Sequence, residues 1–381
     1  MRKALIILLL FCMTFLFSCS SENSIFDSNN SNVVIKGKVN WTDYGKNIHG
    51  ARHAKVRIWN DEVLFNRLVT EVIADENGYY EISLKKIDKY GKNGKGLYIE
   101  FYPETEHAKI KNNSDENFYI RNTITSSDFN NNVAEYNVTF GTDLCGKAFP
   151  SLQAIEYADK YVAAMSGIHL PQMVIDFPVS YPNGTYYDNE ENKIYLAELN
   201  YCDWDVIMHE YGHYVEDMFE FSYGVGGNYF INEILTERFR REVGIQKAWN
   251  EGWATYFALS CQKYLSVYDL EILDLYKRNN FGDNYYDDTK IRKLTGIRID
   301  VKNMWRLGEG SVIGVAGFLL CLADADTSSI DPFSYGYKDI WDLSVGKQMN
   351  NMPDFYQCLC EKYPTDLAKI DNLKSYFRSD C

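Results

Sequence analysis

The chain has 381 residues, with 53 acidic and 39 basic side chains, which gives a formal net charge of −14. This acidic balance argues against nucleic-acid partners, because such partners require basic faces that neutralise phosphate. The length predicts about two domains.

The first 18 residues have the pattern of a signal peptide. A charged start, Met1-Arg2-Lys3, precedes an apolar run from Ala4 to Phe17. This run is too short to be a comfortable membrane span. We therefore expect residues 1–18 to direct export.

The sequence Leu16-Phe17-Ser18-Cys19 is similar to the bacterial lipobox, in which cleavage precedes a cysteine that receives lipid. The resemblance implies lipidation of Cys19, a flexible tether over residues 19–32, and a place in the cell envelope on a bacterial membrane, periplasmic or surface-exposed. The alternative is a secreted protein with a chance cysteine at this position.

Residues 33–141 are predicted to form a β-sandwich domain. Seven short segments in this range favour strands and are separated by turn residues. They are Val33–Val39, Ala54–Trp59, Leu68–Ala74, Tyr79–Leu84, Leu97–Tyr102, Phe118–Thr125 and Val133–Phe140.

A hairpin is predicted within Ala74–Ile82, because Gly78 can take the positive φ that closes its turn. Together with Ile35–Val39 and Ala54–Ile58, this segment resembles the prealbumin-like carboxypeptidase regulatory domains that accompany many secreted hydrolases. The resemblance implies a prealbumin-like sandwich, and this half of the chain shows no catalytic constellation.

A second, mainly helical domain is predicted for residues 145–381. An apolar stripe from Ile155 to Met165 predicts a helix that stops at Gly167. Strands are predicted at Met173–Phe177 and at Lys193–Ala197. After these strands the pattern is mostly helical, with apolar runs at Leu270–Leu275, Val312–Leu322 and Trp341–Val345.

The sequence His209-Glu210-Tyr211-Gly212-His213 carries the strongest chemical signal in the chain. Two histidines four apart on a helix project from one face and can hold one zinc ion, while Glu210 can take a proton from the metal-bound water. Asp203 is suited to cap this helix. The alternative is an amphipathic helix whose histidines are merely hydrogen-bonded.

A catalytic zinc site needs a third protein ligand. No histidine follows His213, so a carboxylate is the natural choice, and Glu251 stands alone in an apolar, aromatic segment, residues 248–258. Burying a carboxylate is costly unless it is paired or bound to a metal. The small residues Gly252 and Ala254 would let this helix approach the zinc helix. The alternative is a helix-start glutamate with Asn250 as the cap.

These two motifs together resemble the gluzincin metallopeptidases over about residues 194–258. The resemblance implies His209, His213 and Glu251 as zinc ligands, Glu210 as general base, and attack of the activated water on a peptide carbonyl. It also implies an α+β multidomain chain in which the β-sandwich precedes a zincin-like domain. In zincin-like folds a strand such as Lys193–Ala197 lines the cleft, and at a sheet edge it can pair with extended substrate.

The chain departs from thermolysin-like members of that group in two ways. Thr255 stands where they carry an aspartate that orients a zinc histidine, so the polar support of the ligands must be built differently. The downstream histidine that stabilises their oxyanion is also missing. Tyrosine or arginine must then face the developing charge, and the candidates are Tyr256, Tyr285, Tyr286 and Arg306.

Two functions follow as expectations. The favoured one is a lipid-anchored, extracytoplasmic zinc metallopeptidase that acts on peptides or proteins. The alternative is a surface lipoprotein that binds a glycan or a host protein through the β-sandwich, with a structural or inactive zinc site. The presence of Glu210 favours the enzyme, because a structural site has no need of a base.

Overall fold

The computed structural model describes residues 32–42, 46–62, 65–84, 94–179, 184–201, 203–222, 241–265, 309–310, 312–323, 333–345, 347 and 349–377. Both strands and helices are well represented among them, so the chain is an α+β protein, as predicted. The predicted leader, tether and lipidation site at Cys19 lie outside these residues.

The first part of the described chain is rich in strands, and each of the seven predicted segments overlaps an observed one. The strands are β1 (Val33–Thr42), β2 (Ile48–Gly50), β3 (Lys55–Glu62), β4 (Asn66–Ile73), β5 (Tyr79–Leu84), β6 (Gly94–Tyr102), β7 (Ala108–Lys111), β8 (Ile120–Ile124), β9 (Val133–Glu135) and β10 (Val138–Phe140).

Two sheets are built from these strands. In the first, β1 pairs antiparallel with β2 and β5 and parallel with β9 and β10. The second is antiparallel with the order β4-β3-β6-β8. Alternate residues of β1 and β5 are buried, as a half-buried strand requires. Tyr80 of β5 packs edge-on against Phe101 of β6, with ring centroids 5.7 Å apart, so the two sheets share a core.

The turn at Gly78 differs from the predicted hairpin. Gly78 has the expected positive φ of 81°, and its carbonyl accepts the backbone N–H of Val39. The strands on either side belong to different sheets, since β4 pairs with β3 and β5 pairs with β1. The turn therefore passes the chain from one sheet to the other, which a local turn signal cannot distinguish from a hairpin.

A third sheet has the order β12-β13-β11-β7, where β11 is Met173–Val179, β12 is Tyr186–Asp188 and β13 is Lys193–Ala197. Strands β7, β11 and β13 are parallel, and β12 is antiparallel to β13. Strand β7 falls within the range predicted for the first domain, yet it pairs in the sheet of the second half. The domain bounds at 33–141 and 145–381 remain a prediction.

The edge of this sheet is not where the sequence suggested. Strand β13, the predicted strand at Lys193–Ala197, is flanked on both sides by β11 and β12. Strand β12 is an edge instead. Its three residues, Tyr186–Asp188, are too few and too polar to give a strand signal, so the sequence analysis missed it.

The helices are α1 (Leu144–Ser166), α2 (Trp204–Met218), α3 (Arg241–Tyr264), α4 (Val312–Ala323), α5 (Tyr337–Ser344), α6 (Met352–Lys362) and α7 (Leu367–Phe377). The side chain of Asp203 accepts the N–H of Val206 at 3.3 Å, so the predicted cap of α2 is confirmed. Helix α1 ends before Gly167, as predicted, and Gly167 has a φ of 83°. No helix among the described residues is long and apolar enough to cross a membrane.

Helices α2 and α3 pack closely because both carry small residues at the crossing. A Cβ added to Gly212 would lie 3.0 Å from the Cα of Ala254, so Ala254 faces α2, as predicted. Gly252 does not face α2. A Cβ there would lie 2.5 Å from the Cβ of Val315 and 2.9 Å from the carbonyl oxygen of Val312, so Gly252 allows α4, rather than α2, to approach.

Replacing Gly252 with alanine is expected to lower the free energy of unfolding. Alanine favours a helix over glycine by about 1 kcal/mol, but overpacking a well-filled contact costs about 1–3 kcal/mol, and Val312 offers backbone rather than a movable side chain. Chemical denaturation would measure the difference. Gly141→Ala is the control, since no atom lies within 4 Å of a Cβ built there. An unchanged or raised stability of Gly252→Ala would show that α4 is free to retreat.

Candidate metal centre

The predicted zinc ligands come together between α2 and α3. The Nε2 atoms of His209 and His213 lie 3.1 and 3.6 Å from the same oxygen, Oε2 of Glu251. The two imidazole rings are perpendicular, with centroids 4.8 Å apart. Donor atoms bound to one tetrahedral zinc at about 2.0–2.1 Å are roughly 3.3–3.4 Å apart. The observed separations fit such an ion.

Each histidine is oriented by a partner on its other ring nitrogen. Nδ1 of His209 is 3.1 Å from the Thr255 hydroxyl, and Nδ1 of His213 is 2.8 Å from a Glu216 carboxylate oxygen. The Glu216 carboxylate is an acceptor and favours the tautomer of His213 in which Nδ1 carries the hydrogen and the lone pair of Nε2 faces Glu251, whereas the Thr255 hydroxyl orients the ring of His209. Thr255 therefore contacts His209 from the position where thermolysin-like enzymes have an aspartate.

Glu216 contacts a candidate ligand, and the sequence analysis missed it. It is buried, and Asn250, with its amide nitrogen turned toward it, donates to both carboxylate oxygens at 2.9 and 3.0 Å. Burial raises the pKa of Glu216 to about 7, although the neighbouring His213 acts in the opposite direction. The available signal was an acidic residue three positions after His213 on the apolar face of the helix.

The helix-start interpretation of Glu251 is wrong. Helix α3 spans Arg241–Tyr264 among the described residues, so Asn250 and Glu251 lie in its interior and Asn250 does not cap it. Glu251 is buried. Burial alone would raise the pKa of its carboxyl, but His213 and His209 outweigh burial and hold that pKa below its usual range. A buried carboxylate facing two imidazoles is the arrangement that a bound cation requires.

The candidate base, Glu210, lies between the ligands and the edge of the third sheet. Its Oε2 accepts the backbone N–H of Tyr187 in β12 at 2.9 Å. Burial raises the pKa of Glu210, while the nearby His209 and His213 act to lower it. The contact of Tyr187 with Glu210 was not predicted, because it is made by the backbone N–H and the side chain of Tyr187 therefore gives no signal for it in the sequence.

The structure does not bring Tyr256 to the metal ligands. It lies in the core with 2% of its surface exposed, and its hydroxyl is beside Tyr161 of α1 and Ser260. Five residues after Glu251, it projects about 140° away from that side chain around the helix. The other candidates for stabilising the oxyanion, Tyr285, Tyr286 and Arg306, lie outside the described residues.

No protein-family model and no curated protein matches the chain. Among solved structures, a 9R-lipoxygenase from Cyanothece PCC8801 aligns over 42% of this chain and 28% of its own, with 9% identity and a TM-score of 0.20. An (S)-allantoin synthase aligns over 30% of this chain and 41% of its own, with 16% identity and a TM-score of 0.19. Scores this low indicate neither a fold nor a function.

Proposed function

We propose that the chain is a zinc metallopeptidase of the gluzincin type. One observation carries the proposal. Two imidazole nitrogens and a carboxylate oxygen face one point with separations that suit zinc, and a further carboxylate, Glu210, lies beside them. A purely structural site has no use for this additional acid, so the arrangement supports catalysis.

His209, His213 and Glu251 would hold the ion and leave one position open. When bound, zinc would polarise a substrate carbonyl and make water more acidic. Glu210 would accept the proton of the attacking water and then donate it to the leaving amine. Glu216 would keep His213 in the required tautomer, and Thr255 would hold the ring of His209 in place.

The position of β12 supports an extended peptide or protein as the substrate. The backbone N–H of Tyr187 in β12 donates to Glu210, so this strand borders the candidate centre. A peptide added to an exposed strand gains main-chain hydrogen bonds with little demand on its sequence. The substrate would then present its scissile carbonyl beside the base.

A second candidate function is the binding of a glycan or host protein. We propose that the two N-terminal sheets form the prealbumin-like sandwich, and a cavity on one of them supports this function. A cavity of about 380 Å³ lies against the β4-β3-β6-β8 sheet. Its lining combines aromatic rings with a charged pair, Arg121 and Glu100, a combination that suits a small polar ligand such as a sugar. Binding here is compatible with peptidase activity elsewhere in the chain.

Digestion of a peptide library with and without a chelator tests the proposal. We expect the wild-type protein to release new amino termini, the chelator to abolish this activity, and added zinc to restore it. Activity that survives complete zinc removal would contradict the mechanism. A wild-type protein with intact zinc and no activity on any peptide would favour the binding function instead.

We further propose that the chain is held at a bacterial membrane through lipid on Cys19. Replacing Cys19 with serine is expected to move the protein from the membrane fraction to the soluble fraction, because a serine cannot receive the thioether-linked lipid. Fractionation with an alkaline wash measures the outcome. Ser18→Ala is a matched control in the same segment and should stay membrane-bound. A Cys19→Ser protein that remains with the membrane would show that another element anchors it.

A further inference from the structure

A second cluster of metal-ligating side chains lies outside the candidate centre. His107 and His169 both direct Nδ1 toward one oxygen, Oδ2 of Asp159, the first at 3.0 Å and the second at closer range. Their ring centroids are 5.1 Å apart. The arrangement repeats that of the candidate centre, where two imidazole nitrogens also face a single oxygen of a buried carboxylate.

The carboxylate of this cluster is held in place through its other oxygen. Oδ1 of Asp159 accepts the backbone N–H of Leu170 at 3.0 Å and the hydroxyl of Tyr211 at 3.3 Å. Asp159 itself is fully buried. These two donors fix the orientation in which Oδ2 faces the histidines. The outer hydrogen-bond partners of a metal-ligating carboxylate act in the same way.

Backbone pairing brings the three ligands together from distant parts of the chain. His107 immediately precedes β7, Asp159 lies in α1, and His169 lies in the turn from α1 to β11. Strands β7 and β11 are parallel neighbours, and the backbone N–H of Met173 donates to the carbonyl of His107 at 2.8 Å. The proximity of the two histidines is thus set by the sheet and not only by flexible side chains.

The surroundings favour a cation. Glu156, one turn before Asp159 on α1, is also buried, and its Oε1 pairs with Nδ1 of His53 at 2.7 Å. Two buried carboxylates therefore lie one turn apart on this helix. His169 is 59% exposed, which gives an ion a route from solvent and leaves room for water to complete its coordination.

We propose that His107, Asp159 and His169 bind a second zinc ion, separate from the catalytic one. Two imidazoles and one carboxylate suit zinc among the common divalent ions, whereas magnesium and calcium prefer oxygen ligands alone. The ion joins α1 to the β7 edge of the third sheet. Tyr211, which holds Asp159, follows Glu210 directly in α2, so this ion also supports the position of the catalytic helix.

The number of zinc ions per chain tests this site. After equilibration with a chelating resin that removes loosely bound metal, elemental analysis should find two zinc ions in the wild-type protein. We expect one in His169→Ala, one in His213→Ala and none in the double variant, because losing a ligand weakens binding by at least about tenfold. His169 is largely exposed, so its replacement leaves the core filled. His49→Ala, a histidine in neither cluster, should keep both ions.

A thermal melt gives a second measurement that does not depend on activity. Adding zinc to metal-free His213→Ala should raise its Tm, because the second site remains. The same addition should leave the His169→Ala/His213→Ala protein unchanged. If Asp159 is only a hydrogen-bonded carboxylate, zinc will shift neither variant and the wild type will hold a single ion. Either result would overturn the second site while leaving the proposed peptidase untouched.

Discussion

Replacing Glu210 with glutamine is expected to slow peptide hydrolysis at least about a hundredfold while zinc stays bound. Glutamine has nearly the same shape, and its amide oxygen can still accept the backbone N–H of Tyr187. The three ligands are unchanged. The amide cannot take a proton from water, and loss of a general base usually costs on the order of a hundredfold or more in rate. Initial rates on a cleaved library peptide, with zinc measured on the same sample, give the result.

The matched control is Glu220→Gln, which makes the same chemical change at an exposed position just after α2. Its rate should equal that of the wild type. Undiminished hydrolysis by Glu210→Gln would rule out the base role and with it the proposed mechanism. Loss of zinc together with activity would instead show that Glu210 helps to hold the ion, and the rate could not then be assigned to proton transfer.

The proximity of the three candidate metal ligands could be predicted because their signals are local. Two histidines four apart share one helical face wherever that helix lies, and an isolated acid in an apolar segment needs a partner. The structure brings His209, His213 and Glu251 together as the sequence predicted. The supporting residues could not be assigned in this way. The contact of Glu216 with Asn250 joins two helices, so neither position shows it alone.

The fold shows the same limit. The seven strand segments were found because the alternation of apolar residues is a local pattern. Which strands pair with each other depends on residues far apart in the sequence and could not be predicted in this way. Strand β7 is only four residues long and alternates apolar residues with lysine. It pairs with β11, more than 60 residues later in the chain. It therefore belongs to a sheet of the second half of the chain, although the sequence analysis placed it in the first domain. The first turns of the described part of α3, from Arg241 onward, were missed because the apolar pattern becomes strong only near Ala248.

Replacing His213 with alanine is expected to remove one zinc ion per chain and to abolish peptide hydrolysis. Two ligands hold a divalent ion far less well than three, and even changes to the outer partners of zinc ligands cost about 10–100-fold in affinity. The helix itself should form, because alanine is the best helix former and His213 is partly exposed. Elemental analysis and hydrolysis of a library peptide measure the two effects on one preparation.

The effect on stability separates metal loss from unfolding. Without His213, the buried carboxyl of Glu216 loses its imidazole partner and keeps the hydrogen bonds of Asn250 and Ser222, so its pKa should rise further and favour the neutral acid near pH 7. A neutral acid hydrogen-bonded to an amide is tolerated in a core, whereas an unpaired anion is not. We therefore expect His213→Ala to retain its circular dichroism spectrum and a cooperative melt, with a lower Tm than the zinc-loaded wild type. Once its remaining zinc is removed, its Tm should be close to that of the metal-free wild type. His213→Ala could instead bind as much zinc as the wild type and still cleave peptides. The catalytic ion would then be bound somewhere other than at His209, His213 and Glu251.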